Sequence, residues 1–334
     1  MRTSVLDRAG SIYDGTPGRY RQIAYGRVSL RATRVDRSES IGKLICELVL
    51  AEPKSMATGD LSNVTTAANL NDFLNPIDRD ALRDQVRRSK PVPNFLIDNF
   101  LRPEFAARVV DAYPPYDEAA AMGRSFKAVN EKGKVQVTDA ARFPEPIQKL
   151  NHILASPEFC ELISYALDIP QLLADEKLVG GGMHQTAARG HLDVHVDFNY
   201  LEDRGWHRRA NLLVFLNRGW QPEWGGEFEL WDADVKVRHH AHLPIFNRCV
   251  LFETNEVSFH GVTAVKCPPG QTRKSFAAYY YTTEAPAHWN GKSHSTVFRA
   301  RPDEFLKGTV AMPAEKAKRW LRQTIRRVKQ KTLG

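Results

Sequence analysis

The sequence predicts a mainly β fold with flanking helices: an all-β sandwich or jelly-roll core, with the preceding helices packed on one sheet. Seven short apolar runs separated by Gly, Pro and Asn signals fill the stretch from Leu178 to Thr282. From Pro76 to that point the spacing of apolar residues is helical instead. One run, "HLDVHVDF", alternates polar and apolar residues throughout, as a strand between a core and a solvated or metal-bearing face would.

Residues 1 to about 75 show no sustained period and read as an extension ending in a polar linker, "SMATGDLSNVTTAANLND". An upstream-extended start, with Met56 as the initiator, would account for it. In "IDRDALRDQVRRS" the spacing of Ile77, Leu82 and Val86 is helical, and "VPNFLIDNFLRPEFAARVVDAY" reads as a short strand and a helix opened by Pro103. In "SPEFCELISYAL" Ser156 is placed to cap a helix whose first turn holds Pro157. Helical support thus spans 76–177 and the β core 178–290. The strands expected are Leu178 to Gln185, His191 to Phe198, Ala210 to Asn217, Glu227 to Trp231, Arg248 to Glu253, Ser258 to Val262 and Lys274 to Thr282. Residues 291–334 form an extension: a linker-like stretch, then Ala317, Trp320, Leu321, Thr324, Ile325 and Val328 as the apolar stripe of an amphipathic helix.

At 334 residues, 42% hydrophobic and 26% charged, the chain can bury a full core. It has no apolar run long enough to span a membrane and no apolar stretch of the secretory kind at its start, so a cytoplasmic location is expected. The four cysteines are scattered, which suggests neither a zinc knuckle nor a disulfide framework. Most of the +8 net charge sits in the last helix, where eight basic residues face the single acid Glu315. That helix suits its own core, an anionic surface or an acidic partner. The β core lacks the aromatic-interleaved basic stripe of a nucleic-acid reader.

The run Gly190 to Tyr200 holds two copies of His-x-Asp: His191 with Asp193 and His195 with Asp197. Residues two apart on a strand share a face, so either pair can hold a metal, and all four polar groups are expected on one face. Two histidines and a carboxylate with open positions make a non-haem iron(II) site. The third ligand is sought among His239, His240, His242 and His260. The first three crowd into what reads as a solvated turn, whereas His260 follows the apolar strand "CVLFE". Further on, Arg273 and Ser275 share a strand face and suit a carboxylate ligand. Asn211 and Gln185 are candidates either for hydrogen bonding to it or for satisfying backbone groups. Tyr279, Tyr280 and Tyr281 read as sheet core and Trp220, Trp224 and Trp231 as structural, with a border of the site as the alternative for Trp224.

The run "GGGMHQT…GHLDVHVDFN…RRANLLVFLN…WGGEFELW…LPIFNRCVLFET…SFHGV…TRKSFAAYYYT" resembles the iron(II)- and 2-oxoglutarate-dependent dioxygenases of the prolyl 4-hydroxylase type, over about Val92 to Thr283. The resemblance implies a double-stranded β-helix and selects His195, Asp197 and His260 as the metal ligands, leaving His191 and Asp193 to line the cavity mouth. It implies Arg273, helped by Ser275, as the grip on 2-oxoglutarate. It also implies Fe(II), 2-oxoglutarate and O2 as cofactor and cosubstrates, and admits ascorbate. The activity implied is hydroxylation of a C–H bond in a peptidyl, amino-acid or small-molecule substrate, with release of succinate and CO2. Related halogenases lack the carboxylate found here at Asp197, which favours hydroxylation. A cupin-like sugar-binding or isomerase module, without need of Arg273, and a zinc hydrolase are the competing classes.

Overall fold

A computed structural model describes residues 69–304 and 306–314. The expectations for residues 1–68, Met56 included, and for the basic helix from Glu315 onward lie outside the described residues. Ordered packing starts before Pro76: a 3-10 turn at Leu70–Asp72 leads into Leu74, which is buried and bridges Leu101.

The helical support begins with α1 (Arg79–Arg88), whose first turn is capped by the Asp78 carboxylate accepting from the Asp80 and Ala81 amides at 3.0 Å. Next come β1 (Asn94–Ile97), α2 (Pro103–Asp111, opened by its proline) and α3 (Tyr116–Met122). A hairpin follows, β2 (Arg124–Lys127) with β3 (Glu131–Val137). Then α4 (Glu145–Leu154) precedes α5 (Pro157–Leu167), where the Ser156 hydroxyl accepts from the Phe159 amide at 3.2 Å as expected.

The β core consists of β4 (Leu173–Ala174), β5 (Gly182–Val196), β6 (Tyr200–Leu201), β7 (Trp206–Phe215), β8 (Phe228–Trp231), β9 (Arg238–His242), β10 (Arg248–Glu253), β11 (His260–Val262), β12 (Thr272–Thr282) and β13 (Val297–Arg299). The strand order is β1-β10-β7-β12-β5-β11-β8-β9. β5 serves twice. Its first half pairs with β12, its second half with β11 and β13, and β3 runs along parts of both. The sheet therefore rolls over β5 into two halves, β10-β7-β12-β5 and β5-β11-β8-β9, in the jelly-roll arrangement that the strand pattern predicts.

Alternation decides what faces what. On β7 Ala210, Leu212 and Val214, on β12 Phe276, Ala278 and Tyr280, and on β10 Cys249 and Leu251 face the helices, joining Phe105, Ile147, Leu150, Phe159 and Ile163 in one core. Each large side chain buried there contributes about 1.5–3 kcal/mol. The opposite faces of the same strands look into the roll, where Phe215, Phe228, Val250 and Phe252 form a smaller apolar cluster at the closed end.

Several elements differ from expectation. The two strands expected at 178–185 and 191–198 are one fifteen-residue strand, because the "AARG" stretch between them bulges without breaking it. The histidine-rich stretch is strand β9 rather than a solvated turn, with His240 and His242 stacked. Past residue 290, β13 adds a strand to the roll where a linker was expected. Among the described residues no helix is long and apolar enough to cross a membrane.

Candidate metal centre and its cavity

His195 on β5 and His260 at the start of β11 are directly opposed in the ladder, with ring centroids 4.2 Å apart. Each imidazole is oriented by a main-chain carbonyl two residues back, which can only accept. His195 Nδ1 donates to Asp193 O at 2.8 Å and His260 Nδ1 to Ser258 O at 3.0 Å. Both Nε2 atoms are thereby left as lone-pair donors turned towards Asp197, 3.4 Å from Oδ1 for His195 and 3.3 Å from Oδ2 for His260. One ligand atom from each of the three residues lies within 4.8 Å of the others, close enough to share an ion.

The protonation states suit that role. Burial alone would raise the Asp197 carboxyl, but Arg208, then His260 and His195, outweigh it and hold it well below the usual range. Burial, with His195 adding, lowers His260 against the pull of Asp197. A carboxylate and neutral imidazoles are the forms that bind a metal.

Behind Asp197 stands a pair that bears on the reading of Asn211. The Asn211 amide donates to Asp197 Oδ2 at 2.7 Å, and Arg208 Nη2 lies 3.0 Å from the same oxygen. Arg208 Nε donates to Asn211 Oδ1 at 2.9 Å, while its guanidinium stacks over Tyr279 at 3.7 Å and Phe198 at 4.6 Å. Asn211 thus lines the cavity with its amide engaged by Asp197 and Arg208. Strict alternation would turn Arg209 inward with Asn211. A register shift between Tyr280 and Tyr281 skips Arg209 and turns Arg208 in instead, so the sequence pattern concealed it. Tyr279, read as sheet core, is on the cavity wall; Tyr280 is in the core, with its hydroxyl donating to Leu154 O.

The same device corrects the reading of His191 and Asp193. His260 pairs with His195 but Val262 pairs with Leu192, so β5 carries one residue more than β11 between those pairs. The bulge reverses the faces. Leu192, His195 and Asp197 line the cavity, while His191 and Asp193 point away from it, Asp193 being fully buried outside.

Arg273 on β12 lies in the wall of the same cavity, 4% exposed. Its Nε donates to Gly226 O at 2.7 Å, and the guanidinium covers the Phe215 ring. Its Nη2 has no partner, and among the described residues no carboxylate lies within ion-pair distance. Burial draws the guanidinium down to about 9. Gly226, at φ +70°, makes the room: a Cβ there would sit 3.0 Å from Arg273 Cδ. Ser275 lines the cavity on the same face. Gln185 does not. Its amide donates to Pro114 O at 2.8 Å and accepts from Thr272 Oγ1 at 2.9 Å, so both ends are spent away from the cavity. Trp224 is likewise off the wall, packed edge-on against Trp220. His184 is on it, its Nε2 at Gly180 O.

The cavity holds about 660 Å³. Two of its walls were not anticipated. The β2–β3 hairpin supplies Arg124, Phe126, Asn130 and Lys134, and the segment after the barrel supplies Thr296 and Phe298.

Residues 181–281 match the family model described as the 2OG-Fe(II) oxygenase superfamily. Solved structures similar to this chain include a prolyl 4-hydroxylase from Pseudomonas putida, at 18% identity and TM-score 0.45, covering 60% of this chain and 98% of that one. A prolyl hydroxylase from Trichoplax adhaerens, solved with a hypoxia-inducible-factor peptide fragment, is 18% identical with TM-score 0.44, covering 61% and 88%. HygX from Streptomyces hygroscopicus, solved with nickel, 2-oxoglutarate and hygromycin B, is 12% identical with TM-score 0.38, covering 62% and 88%. No curated protein sequence matches the chain.

Proposed function

We propose, on the premise that residues 181–281 form a domain of the 2OG-Fe(II) oxygenase superfamily, that this enzyme hydroxylates a C–H bond of a small-molecule or peptidyl substrate while converting 2-oxoglutarate to succinate and CO2. The observation that carries the reading is the presence, in one cavity, of a buried His-Asp-His set and a buried arginine with no counter-charge among the described residues. An uncompensated buried cation costs several kcal/mol, so its place in a cavity wall argues for an anionic occupant. A cupin-like binding module or a zinc hydrolase would give Arg273 no such task.

In this reading His195, Asp197 and His260 hold Fe(II), which when bound with 2-oxoglutarate supplies the oxidising chemistry. The chain's own contribution is placement. Arg273 and Ser275 take the distal carboxylate of 2-oxoglutarate through charge-assisted hydrogen bonds. Arg208 and Asn211 keep Asp197 ionised and fix its Oδ2, leaving Oδ1 turned towards His195. Phe228 and Phe252 pack against the His260 ring and limit water there. Substrate reaches the centre between the hairpin residues Arg124 and Phe126 and the wall formed by Thr296 and Phe298.

The test is anaerobic loading with Fe(II) and 2-oxoglutarate, followed by air and a count of succinate and CO2 with and without candidate substrate pools. Succinate formed in step with 2-oxoglutarate loss, dependent on oxygen and iron, supports the reading. Turnover of a hydrolysable substrate with zinc and without oxygen overturns it.

A further inference from the structure

After the barrel the chain comes back to the strand that carries His195. Through β13, Phe298 pairs with His195 itself, and its ring lies 5.3 Å from the imidazole at a tilt of 34°. Upstream, the His294 imidazole meets Glu256 at 2.6 Å and the His294 amide donates to Asn199 Oδ1, which ties this segment down beside Asp197. Downstream, Arg301 and Lys307 reach Asp193. Residues 294–307 all lie beyond the segment matched to the oxygenase family.

Resting on the reading of His195 as a metal ligand, we propose that this segment is a working part of the metal centre: Arg301 and Lys307, through Asp193, are positioning residues for the His195 imidazole. The ring of His195 is aimed by its bond to Asp193 O, so it is held only as well as the Asp193 peptide is held. That peptide sits in the bulge, where the ladder to β11 does not fix it. Other contacts do so instead. The Asp193 amide donates to Asn130 O at 2.8 Å, and its fully buried carboxylate takes Lys307 Nζ at 2.5 Å with Arg301 Nη1 at 3.7 Å and His191 Nε2 at 3.6 Å.

Arg301 joins the two histidine strands across the bulge. Its Nη2 donates to Val262 O on β11 at 3.2 Å and reaches Leu192 O on β5 at 3.4 Å, while Nε and Nη2 grip the buried Glu229 on β8 at 2.9 and 2.7 Å. Gly261, next to His260, permits this approach, since a Cβ there would lie 3.1 Å from Arg301 Nη2. Buried ion clusters of this kind add little net stability for their desolvation cost, and what they fix is geometry.

The experiment compares Co(II) binding and the Co(II) absorption spectrum in the full chain, wild type against Lys307→Met, Lys307→Arg and Arg299→Gln, with melting temperature read alongside. Groups that orient metal ligands typically account for 10- to 100-fold in affinity. Lys307→Met is therefore expected to weaken Co(II) roughly tenfold or more and to alter the spectrum at saturation, with Lys307→Arg restoring much of both. Arg299, on the same segment but bonded to Ala233 O, should affect melting alone. If Lys307→Met melts lower but binds Co(II) within about threefold of wild type with an unchanged spectrum, the segment only pins the chain and the inference falls. Should Lys307→Met not fold, Asp193→Asn, which keeps the side-chain shape, decides by the same two readings. A His195→Ala variant that binds Co(II) as tightly as wild type would overturn the metal reading itself, and this inference with it.

Discussion

Replacing Arg273 with methionine separates ligand binding from folding. In the folded chain the guanidinium is buried in the cavity wall, bonds one carbonyl, Gly226 O, and leaves Nη2 without a hydrogen-bond partner. A hydrogen bond to a charged partner contributes about 1.5–3 kcal/mol, and a carboxylate bound here would gain that energy in a site with little water. Losing about 2–3 kcal/mol predicts a 30- to 150-fold higher Kd for 2-oxoglutarate. Stability should move the other way. An unpaired buried cation costs several kcal/mol, against about 1.5–3 kcal/mol for its charge-assisted bond to Gly226 O, so the ligand-free variant should melt no lower than wild type. Calorimetric titration of 2-oxoglutarate into Mn(II)-loaded protein, without oxygen, reads the affinity, and a thermal melt reads the rest. Lys274→Met is the control. Lys274 lies on the other face of β12, its main chain bonded to Asn217, and should leave the affinity unchanged. The reasoning is refuted if Arg273→Met binds 2-oxoglutarate within threefold of wild type, or if Lys274→Met loses as much.

His195→Ala, Asp197→Ala and His260→Ala should each abolish tight metal binding, while His191→Ala, off the cavity, should keep it; metal titration decides, and retained binding in Asp197→Ala would move the site. Asn211→Ala should weaken metal binding several-fold without changing the affinity of loaded protein for 2-oxoglutarate, whereas Gln185→Ala should lower the melting temperature alone, because its amide bonds only Pro114 and Thr272. Burial, with His240 and Arg248 adding and Asp98 opposing, brings the His242 imidazole down to about 4. Its folded value lies below the unfolded one of about 6.5, so the unfolded chain takes up the proton first. The stability this gives is fully present above pH 6.5 and is lost as pH falls towards 4, by about 1 kcal/mol at pH 5 after discounting for partial exposure. Urea unfolding of wild type and His242→Phe at pH 7.5 and pH 5 should show a shallower loss in the variant, and parallel losses would refute it.

The order of helices and strands was legible because apolar spacing follows from which faces are buried, and Ser156, Pro103 and Pro157 announce their helices. Strand spacing offered both His-x-Asp pairs equally, and it was the resemblance that selected His195, Asp197, His260 and Arg273, which the fold brings to one cavity. What escaped the sequence lies where counting in twos fails. One extra residue on β5 sends Asp193 away from the cavity, and a skipped Arg209 brings Arg208 into it. The hairpin and β13 escaped for another reason: β2 and β13 are strands of four residues and three, mostly exposed, and the hairpin (through β3) and β13 are held by pairing with β5, far away in the chain. Gln185 was misplaced because a side-chain amide within reach of a carbonyl and a hydroxyl satisfies itself there, and no local pattern records that.

The pairing of β13 with β5 also governs what the surface offers to other molecules. Residues Val194 to Val196 have β11 on one side, and β13 occupies the other. A chain ending before Val297 would leave that side bare, with unanswered amides and carbonyls along Val194, His195 and Val196. Such a margin recruits strands from its neighbours and leads to self-association. The three residues of β13 thus close a stretch of β5 that would otherwise stand open to pairing with another chain.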